Sequence, residues 1–242
     1  MTAAMTLYRS SIGKKAIMAV TGLAMIGFLV FHMYGNLKIF GGPQLLNEYA
    51  AGLRELGHPV FGHEHLLWIA RLGLLAAVVL HVTAAVQLTV QSRASTAGGI
   101  AGTGRYHHQH YNRASFASRT IRWGGVIIFL FIIYHLLHFT FGAVGYNAAR
   151  PYIGEQAGAY QVYNNVIYGF LFWPAALIYI LAMGAVGLHV YHGTWSMMQT
   201  LGLNNGSYSK LWSALALVLG VALFVGNITI PVAVLAGFLR PI

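Results

Sequence analysis

Five apolar stretches dominate this chain, and each is long enough to cross a lipid bilayer. About 20 mainly apolar residues in helical conformation span the hydrocarbon core, because an α-helix rises about 1.5 Å per residue. Hydrophobic residues make up 57% of the 242 residues and charged residues only 7%. The sequence predicts one all-α integral membrane domain, residues 1–242, with transmembrane helices at about 16–36, 66–91, 123–145, 164–198 and 211–238.

The charges predict how these helices are oriented. Lys and Arg cluster before the first predicted helix and between the second and third, and Lys210 precedes the fifth. By the positive-inside rule these segments are cytoplasmic, so we expect the N-terminus inside and the C-terminus outside a bacterial cytoplasmic membrane. The acidic residues all fall in segments on the opposite, external side: Glu48, Glu55, Glu64 and Glu155.

Histidine recurs inside four of the five apolar stretches. The residues are His32, His81, His135 with His138, and His189 with His192. A titratable side chain in hydrocarbon is costly, so its repetition on successive membrane helices indicates a chemical role. Neutral imidazole is an iron ligand, and two imidazoles from facing helices can hold one haem. The chain has no cysteine, which excludes cluster ligation or covalent haem attachment by its own residues. Histidines on four helices therefore predict two haems.

Depth in the membrane predicts how the four helices pair. From the expected external helix ends, His32 and His135 lie about 14 and 15 Å deep. On the same scale His81 and His189 lie about 24 and 37 Å deep, a looser match. We therefore expect an outer pair, His32 and His135, and an inner pair, His81 and His189.

Two further histidines compete with these ligands. His138 and His192 each follow a proposed ligand by three residues and lie close to the same helical face. Spacing alone does not decide which member of each couple binds iron. The other member would bond a haem propionate or a quinone carbonyl, or face a loop.

A short amphipathic helix is expected within residues 43–57, outside the membrane spans. Leu45, Leu46, Tyr49, Leu53 and Leu56 have helical spacing there. We expect this helix to lie along the external interface.

Motifs along the whole chain carry a family resemblance. They are Ser10-Ser11-Ile12-Gly13-Lys14-Lys15 running into Ala19-Val20-Thr21-Gly22-Leu23, then His32-Met33-Tyr34-Gly35-Asn36-Leu37, and His189-Val190-Tyr191-His192-Gly193-Thr194-Trp195-Ser196 with Gln199-Thr200-Leu201-Gly202. Together they resemble the cytochrome b558-type membrane subunit of succinate dehydrogenase, which is similar to the five-helix di-haem anchor of quinol:fumarate reductases. The resemblance implies that the first four helices form a haem-binding bundle with one ligand each, His32 and His135 holding the outer haem b and His81 and His189 the inner one.

The resemblance also implies a function and partners. The chain would anchor a succinate:quinone oxidoreductase, the respiratory complex II of the tricarboxylic acid cycle, and would itself carry no catalytic residue for dicarboxylate chemistry. Electrons would come from a flavoprotein subunit and an iron–sulfur subunit on the cytoplasmic side. They would pass through the inner and outer haems to a quinone, with menaquinone the expected species. No nucleic acid is expected as a partner. The direction of catalysis, the quinone species and the location of its site, the oligomeric state and the presence of a further small anchor subunit stay open.

A quinone site needs a proton donor and hydrogen-bonding groups for its carbonyls. Near the outer haem the candidates are Tyr34, Asn36, Lys38, Glu55 and His138. At the inner face they are Arg9, Ser10, Ser11, Trp195 and Ser196, with His192 beside them. Some fumarate reductase anchors carry a glutamate two residues before the fourth-helix ligand; Gly187 stands there in this chain, so their proton pathway is not carried over.

Two other functions use the same histidines. One is a di-haem b anchor of another quinone-linked complex, of hydrogenase or formate dehydrogenase type. The other is a transporter or metal-ion permease whose histidines bind protons or metal. A reduced-minus-oxidised optical spectrum separates haem binding from transport, and the co-purifying subunits identify the complex.

Overall fold

The structure, a computed structural model, describes residues 10–97, 116–155 and 160–242. Within these ranges the chain forms helices and no β-strand. The helices are α1 (Ser11–Leu37), α2 (Pro43–Arg54), α3 (His65–Ala97), α4 (Phe116–His135), α5 (Val162–Leu171), α6 (Trp173–Thr200) and α7 (Ser209–Leu235). A 3₁₀ turn, Lys38–Gly41, follows α1, and a π-helical turn, Leu136–Thr140, continues α4.

Five of these helices are long and apolar enough to cross a membrane. They are α1 with its 3₁₀ turn, α3, α4 with its π-helical turn, α6 and α7. An α-helix pairs its backbone polar groups internally, which is what the hydrocarbon core demands. In the part of the chain that it describes, the structure thus confirms the all-helical fold and the five helices expected of a multi-pass membrane protein.

The fourth predicted span, 164–198, is two helices. α5 ends at Leu171, Phe172 leaves helical geometry at ψ 89°, and α6 begins at Trp173 with Pro174 in its first turn. Proline lacks an N–H, and in a helix interior its ring clashes with the carbonyl four residues before it, so Pro174 fits the first turn of a new helix better than the middle of a continuous one. The apolar run continues across this break, which is why hydropathy alone joined the two helices.

The spanning helices divide into a well-packed part and an open part. In an apolar stretch of 18 residues from each helix, buried residues make up 39% in α6 and 33% in α7. The corresponding shares are only 11% in α1, 6% in α3 and 0% in α4. α6 and α7 approach closely at Gly187 and Gly220, where a Cβ on either residue would lie within 3 Å of the other's carbonyl oxygen. Small residues allow such backbone contact between membrane helices.

Short helices cover one end of the bundle, which we call the α2 side; the end where α1 begins is the Ser11 side. α2 falls inside the range expected for the amphipathic helix. It joins α5 through Asn47, whose side chain accepts a hydrogen bond from the Tyr163 N–H at 3.0 Å. Tyr49 packs on Gly35 of α1, so closely that a Cβ there would lie 2.6 Å from its ring. These contacts fix the α2-side end of α1.

Candidate functional site

The outer pair brings an imidazole of α1 against one of α4. The ring centroids of His32 and His135 lie 5.8 Å apart, with the ring planes at 90°. On its own helix, His32 stacks on Phe28 with a centroid distance of 5.2 Å. The two rings lie near the α2 side, the end of the bundle at which α1 ends and α4 passes into the π-helical turn.

The inner pair joins α3 and α6 at a deeper level. The ring centroids of His81 and His189 are 6.3 Å apart and the ring planes meet at 58°. Each histidine follows the first residue of its helix, His65 or Trp173, by sixteen residues, or about 24 Å. Because the helix break moves the start of α6 to Trp173, His189 lies as far from its helix start as His81 does. The difference in depth estimated from the sequence disappears. In both pairs the structure brings together the histidines that depth had matched, and metal binding by them stays a prediction.

Each imidazole pair crosses a gap between helices. Along the described residues α1 packs on α3, and α4 packs on α6, but the backbones of α1 and α4 hardly approach one another, and nor do those of α3 and α6. One imidazole pair meets across each of these two openings. Two gaps lined by paired imidazoles in a membrane bundle are suited to a flat group held from both faces.

The spacing of the rings fits coordination of a single metal ion between them. A metal–nitrogen distance of about 2 Å to each imidazole places the two ring centroids roughly 6 Å apart. The observed 5.8 Å and 6.3 Å meet this requirement. Two imidazoles leave several coordination positions open, and a porphyrin supplies four nitrogen ligands of its own. The donor set therefore fits haem.

A hydroxyl group sets the orientation of His81. Thr21 on α1 donates its proton to the Ile17 carbonyl at 2.7 Å. Its oxygen lies 3.1 Å from Nδ1 of His81 and is left to accept a hydrogen bond from that nitrogen. His81 then carries its proton on Nδ1 and keeps a lone pair on Nε2. This is the tautomer that a metal ligand bonded through Nε2 requires.

One tyrosine contacts both His135 of α4 and His138 of the π-helical turn. The Tyr179 hydroxyl lies 3.1 Å from Nδ1 of His135 and 3.1 Å from Nδ1 of His138. A hydroxyl has one proton to donate and lone pairs to accept with. If His135 donates from Nδ1 and so frees Nε2 for a metal, Tyr179 can donate its proton to His138. The hydrogen bonds of the two imidazoles are therefore coupled through Tyr179.

His138 lies behind the outer pair and is completely buried. The π-helical turn that carries it has the Phe141 N–H bonded to the Leu136 carbonyl, a register often found at functional sites. Its Nε2 has no hydrogen-bond partner among the described residues. Gly145 and Gly169 both come so close that a Cβ on either would lie 2.7 Å from this nitrogen. Backbone therefore encloses the side of His138 that faces away from Tyr179.

Tyr146 completes the cover over His138. Its ring centroid lies 5.2 Å from that of His138, and its hydroxyl donates to the Asn165 carbonyl at 3.0 Å. Burial, with a further contribution from Tyr152, raises the pKa of Tyr146 above its usual value. Tyr146 therefore stays protonated and keeps this hydrogen bond at any physiological pH.

The polar residues predicted near the outer haem divide into separate groups. Lys38 places its Nζ 4.8 Å from the ring centroid of Tyr34 and 5.2 Å from that of Tyr49. Asn36 is half-buried on α1. Glu55 is exposed and lies 3.4 Å from Nε2 of His63. Lys38 with Tyr34 thus forms a cation–π contact at the end of α1, apart from the carboxylate of Glu55.

The residues predicted at the inner face lie on the Ser11 side, except Arg9, which is outside the described residues. Ser10 caps α1, since its Oγ accepts a hydrogen bond from the Gly13 N–H at 2.9 Å. Ser11 is exposed in the first turn of α1. The last turns of α6 hold three half-buried residues: His192, Trp195 and Ser196.

Four residues that border the paired imidazoles were not selected from the sequence. Thr21 and Tyr179 bond the ring nitrogens of His81 and His135. Gly22 and Gly125 lie beside the inner rings, where a Cβ would be 3.6 Å from His81 and 3.8 Å from His189. The available signal was a hydroxyl within an apolar helix, a group that seeks a partner in lipid. The histidines that Thr21 and Tyr179 bond lie on other helices, so helical spacing in the sequence could not identify them.

Comparisons of the chain with protein-family models, with curated proteins and with solved structures find no match.

Proposed function

We propose that this chain is the membrane-anchor cytochrome b subunit of a succinate:quinone oxidoreductase. It would hold an outer haem b through His32 and His135 and an inner haem b through His81 and His189. The observation that carries this proposal is the meeting of two imidazole pairs across two helix gaps at different depths. The motif resemblance adds the class of complex, with flavoprotein and iron–sulfur partners on the cytoplasmic side and a quinone, menaquinone, in the membrane.

A haem held in this way supplies reversible one-electron transfer. His32 with His135, and His81 with His189, would each hold one iron through two imidazoles, which suits a relay of electrons rather than substrate binding at the metal. Thr21 and Tyr179 hold the rings of His81 and His135 by their second nitrogens, which fixes ring orientation and strengthens the ligands. Phe28 restrains His32 by stacking. The chain's own residues thus supply ligation, orientation and an apolar surrounding.

Quinone reduction needs hydrogen-bond donors beside the bundle. Lys38 and Tyr34 lie at the α2-side end of α1, a few residues beyond His32, and Lys38 has three N–H donors. Tyr34 is 60% exposed, which leaves its hydroxyl open to a membrane-dissolved ligand. We place the quinone carbonyl at this end of α1, close to the outer pair.

The ligand assignment is tested by optical spectra of the purified complex. His32→Ala and His81→Ala should each remove about half of the b-type absorption, because each removes one ligand of one haem. The remaining half should titrate with a different redox midpoint in the two variants. His63→Ala is the matched control, since His63 is an exposed loop histidine, and it should leave both signals intact.

The same preparation separates the competing functions. Absence of any b-type signal in the wild-type protein would rule out haem and favour a transporter. A normal signal with co-purifying subunits of a hydrogenase or formate dehydrogenase, and no succinate:quinone activity, would move the anchor to another quinone-linked complex. Loss of neither haem in both ligand variants would refute the choice of ligands.

A further inference from the structure

Both ring nitrogens of His138 face groups other than the imidazole of α1. Its Nδ1 lies 3.1 Å from the Tyr179 hydroxyl on α6. Its Nε2 faces backbone, since a Cβ on Gly145 or on Gly169 would lie 2.7 Å from this nitrogen. The ring that meets His32 across the gap is that of His135. His138 therefore does not compete with His135 for a metal in this gap.

Metal binding by His135 would fix the direction of the hydrogen bonds beside it. A ligand bonded through Nε2 carries its proton on Nδ1, and this N–H then donates to the Tyr179 oxygen at 3.1 Å. Tyr179 is buried, so its own proton needs an acceptor. Among the described residues, the further partner of this hydroxyl is Nδ1 of His138. The hydrogen bonds then run from His135 through Tyr179 to His138.

We infer that His138 is a positioning residue of the outer haem site, which accepts the Tyr179 proton and so turns the Tyr179 oxygen toward Nδ1 of His135. The inference rests on the proposed function, since it requires His135 to be a haem ligand. Hydrogen bonds in a chain polarise one another, so a hydroxyl that donates is the better acceptor. A stronger bond at Nδ1 of His135 makes its Nε2 a stronger donor to iron.

The surroundings of His138 are those of a side chain held in one orientation. Its ring stacks on Phe139 with a centroid distance of 4.1 Å, and Tyr146 covers it at 5.2 Å. With Nδ1 accepting, the proton of the neutral ring lies on Nε2, which has no partner among the described residues. An unpaired buried N–H is unfavourable, so packing alone would favour an apolar side chain here. The bond at Nδ1 gives the imidazole its purpose.

The test compares two substitutions of nearly equal shape in the purified complex. His138→Leu removes the acceptor, whereas the side-chain oxygen of His138→Asn can take the place of Nδ1. Both variants should keep the full b-type absorption, because His138 is not a ligand. In His138→Leu the outer midpoint should rise, since a weaker His135 ligand stabilises the oxidised iron less. His138→Asn should stay near the wild-type value, and the inner midpoint should not move in either.

A double variant shows whether His138 acts through Tyr179. The outer midpoint of Tyr179→Phe with His138→Leu should equal that of Tyr179→Phe alone, because the hydroxyl that transmits the effect is already missing. His138→Leu alone should give the smaller rise of the two single variants. Shifts that add in the double variant would mean that His138 acts by packing, and the inference would be rejected.

A second readout reports the orientation of the ligand. The EPR g values of a low-spin haem depend on the angle between its two imidazole planes, which is 90° between the rings of the outer pair. The outer signal should broaden in His138→Leu and stay sharp in His138→Asn. If His138→Leu does not assemble, His138→Met takes its place, because methionine adapts to irregular spaces and its sulfur is only a weak acceptor.

The remaining outcomes are separable. An unmoved outer midpoint with an unchanged EPR signal in His138→Leu would overturn the inference. Loss of the outer haem from His138→Asn, together with its retention in His135→Ala, would make His138 the ligand and would also overturn it. His32→Ala identifies the outer signal in each titration. Absence of any b-type signal in the wild-type complex is a different result, because it contradicts the proposed function itself.

Discussion

Tyr179 bonds two imidazoles with a single hydroxyl, and the direction of these bonds decides which ring nitrogens stay available. It is buried on α6 at 3.1 Å from both His135 and His138. Its role for His135 parallels that of Thr21 for His81, although Thr21 also bonds its own helix backbone. Groups of this kind orient metal-bound histidines and raise their basicity. The two hydroxyls therefore offer separate control of the outer and inner sites.

Tyr179→Phe should alter the outer haem alone. Removal of the hydroxyl leaves Nδ1 of His135 without its acceptor, so the imidazole becomes a weaker donor to iron and the outer midpoint should rise. Loss of an outer-shell partner typically lowers affinity for the bound metal by about 10- to 100-fold, so outer haem occupancy should also fall. Redox titration and the haem-to-protein ratio measure both effects.

Thr21→Val is the counterpart that makes the result specific. It removes the hydroxyl that accepts from His81 and should shift the inner midpoint while leaving the outer one in place. Equal effects of the two variants on both haems would indicate a general loss of packing, and the positioning role of Tyr179 would then be rejected.

At the scale of the helix, the main features of the fold could be predicted from the sequence and the boundaries less well. Long apolar runs gave five spanning helices because hydrocarbon tolerates few alternatives to a helix. The break at Phe172 was missed because the residues on both sides are apolar, and Pro174 is as compatible with a helix start as with a kink. Because α6 begins at Trp173, His81 and His189 lie at equal distances from the starts of their helices.

The glycines near the imidazoles in the structure differ from those near the histidines in the sequence. Glycines lie close to His32 and His189 in the sequence, a pattern compatible either with space for a cofactor or with close helix packing. In the structure, Gly35 receives the ring of Tyr49 and Gly187 contacts the backbone of α7, so both serve helix packing. The glycines beside the inner imidazoles, Gly22 and Gly125, belong to other helices. Such contacts depend on tertiary packing, which helical periodicity does not encode.

Gly187→Ala should therefore destabilise the bundle through the contact between α6 and α7. The new Cβ would lie 2.9 Å from the Gly220 carbonyl oxygen, a backbone atom that moves only if the helices separate. Overpacking of this kind typically costs about 1–3 kcal/mol. A lower midpoint of thermal unfolding in detergent measures the effect.

Gly184→Ala is the matched control on the same helix. Its Cβ would meet Phe224 at 4.0 Å, an ordinary contact, and alanine has the higher helix propensity. The unfolding midpoint should therefore stay level or rise. An equal decrease in both variants would show that close contact at Gly187 is not what holds α6 to α7.

At the scale of the whole molecule, both the packing of the bundle and its charges are distributed unevenly. α1, α3 and α4 carry three of the four proposed ligands and have few buried residues, while α6 and α7 form the better-packed support. The proposed haems would add packing contacts between these loosely packed helices. The acids and the short helix α2 lie at one end, and the buried Lys14 at the other.

The orientation of this arrangement can be tested with single cysteines, because the chain has none of its own. Basic residues flank the Ser11 side, so the positive-inside rule predicts that this side faces the cytoplasm. Ser207→Cys, in the exposed connection between α6 and α7, should resist a membrane-impermeant maleimide in intact cells and react after permeabilisation. Val60→Cys and Ala148→Cys, exposed on the α2 side, should react before permeabilisation.

Labelling at both ends gives this test its discriminating power. A partner protein docked at the Ser11 side could shield Ser207→Cys, but it would not make Val60→Cys and Ala148→Cys accessible from outside. Reaction of these two only after permeabilisation, with Ser207→Cys labelled in intact cells, would invert the topology. The inner pair would then lie nearer the external face, and a cytoplasmic iron–sulfur partner would meet the outer pair first.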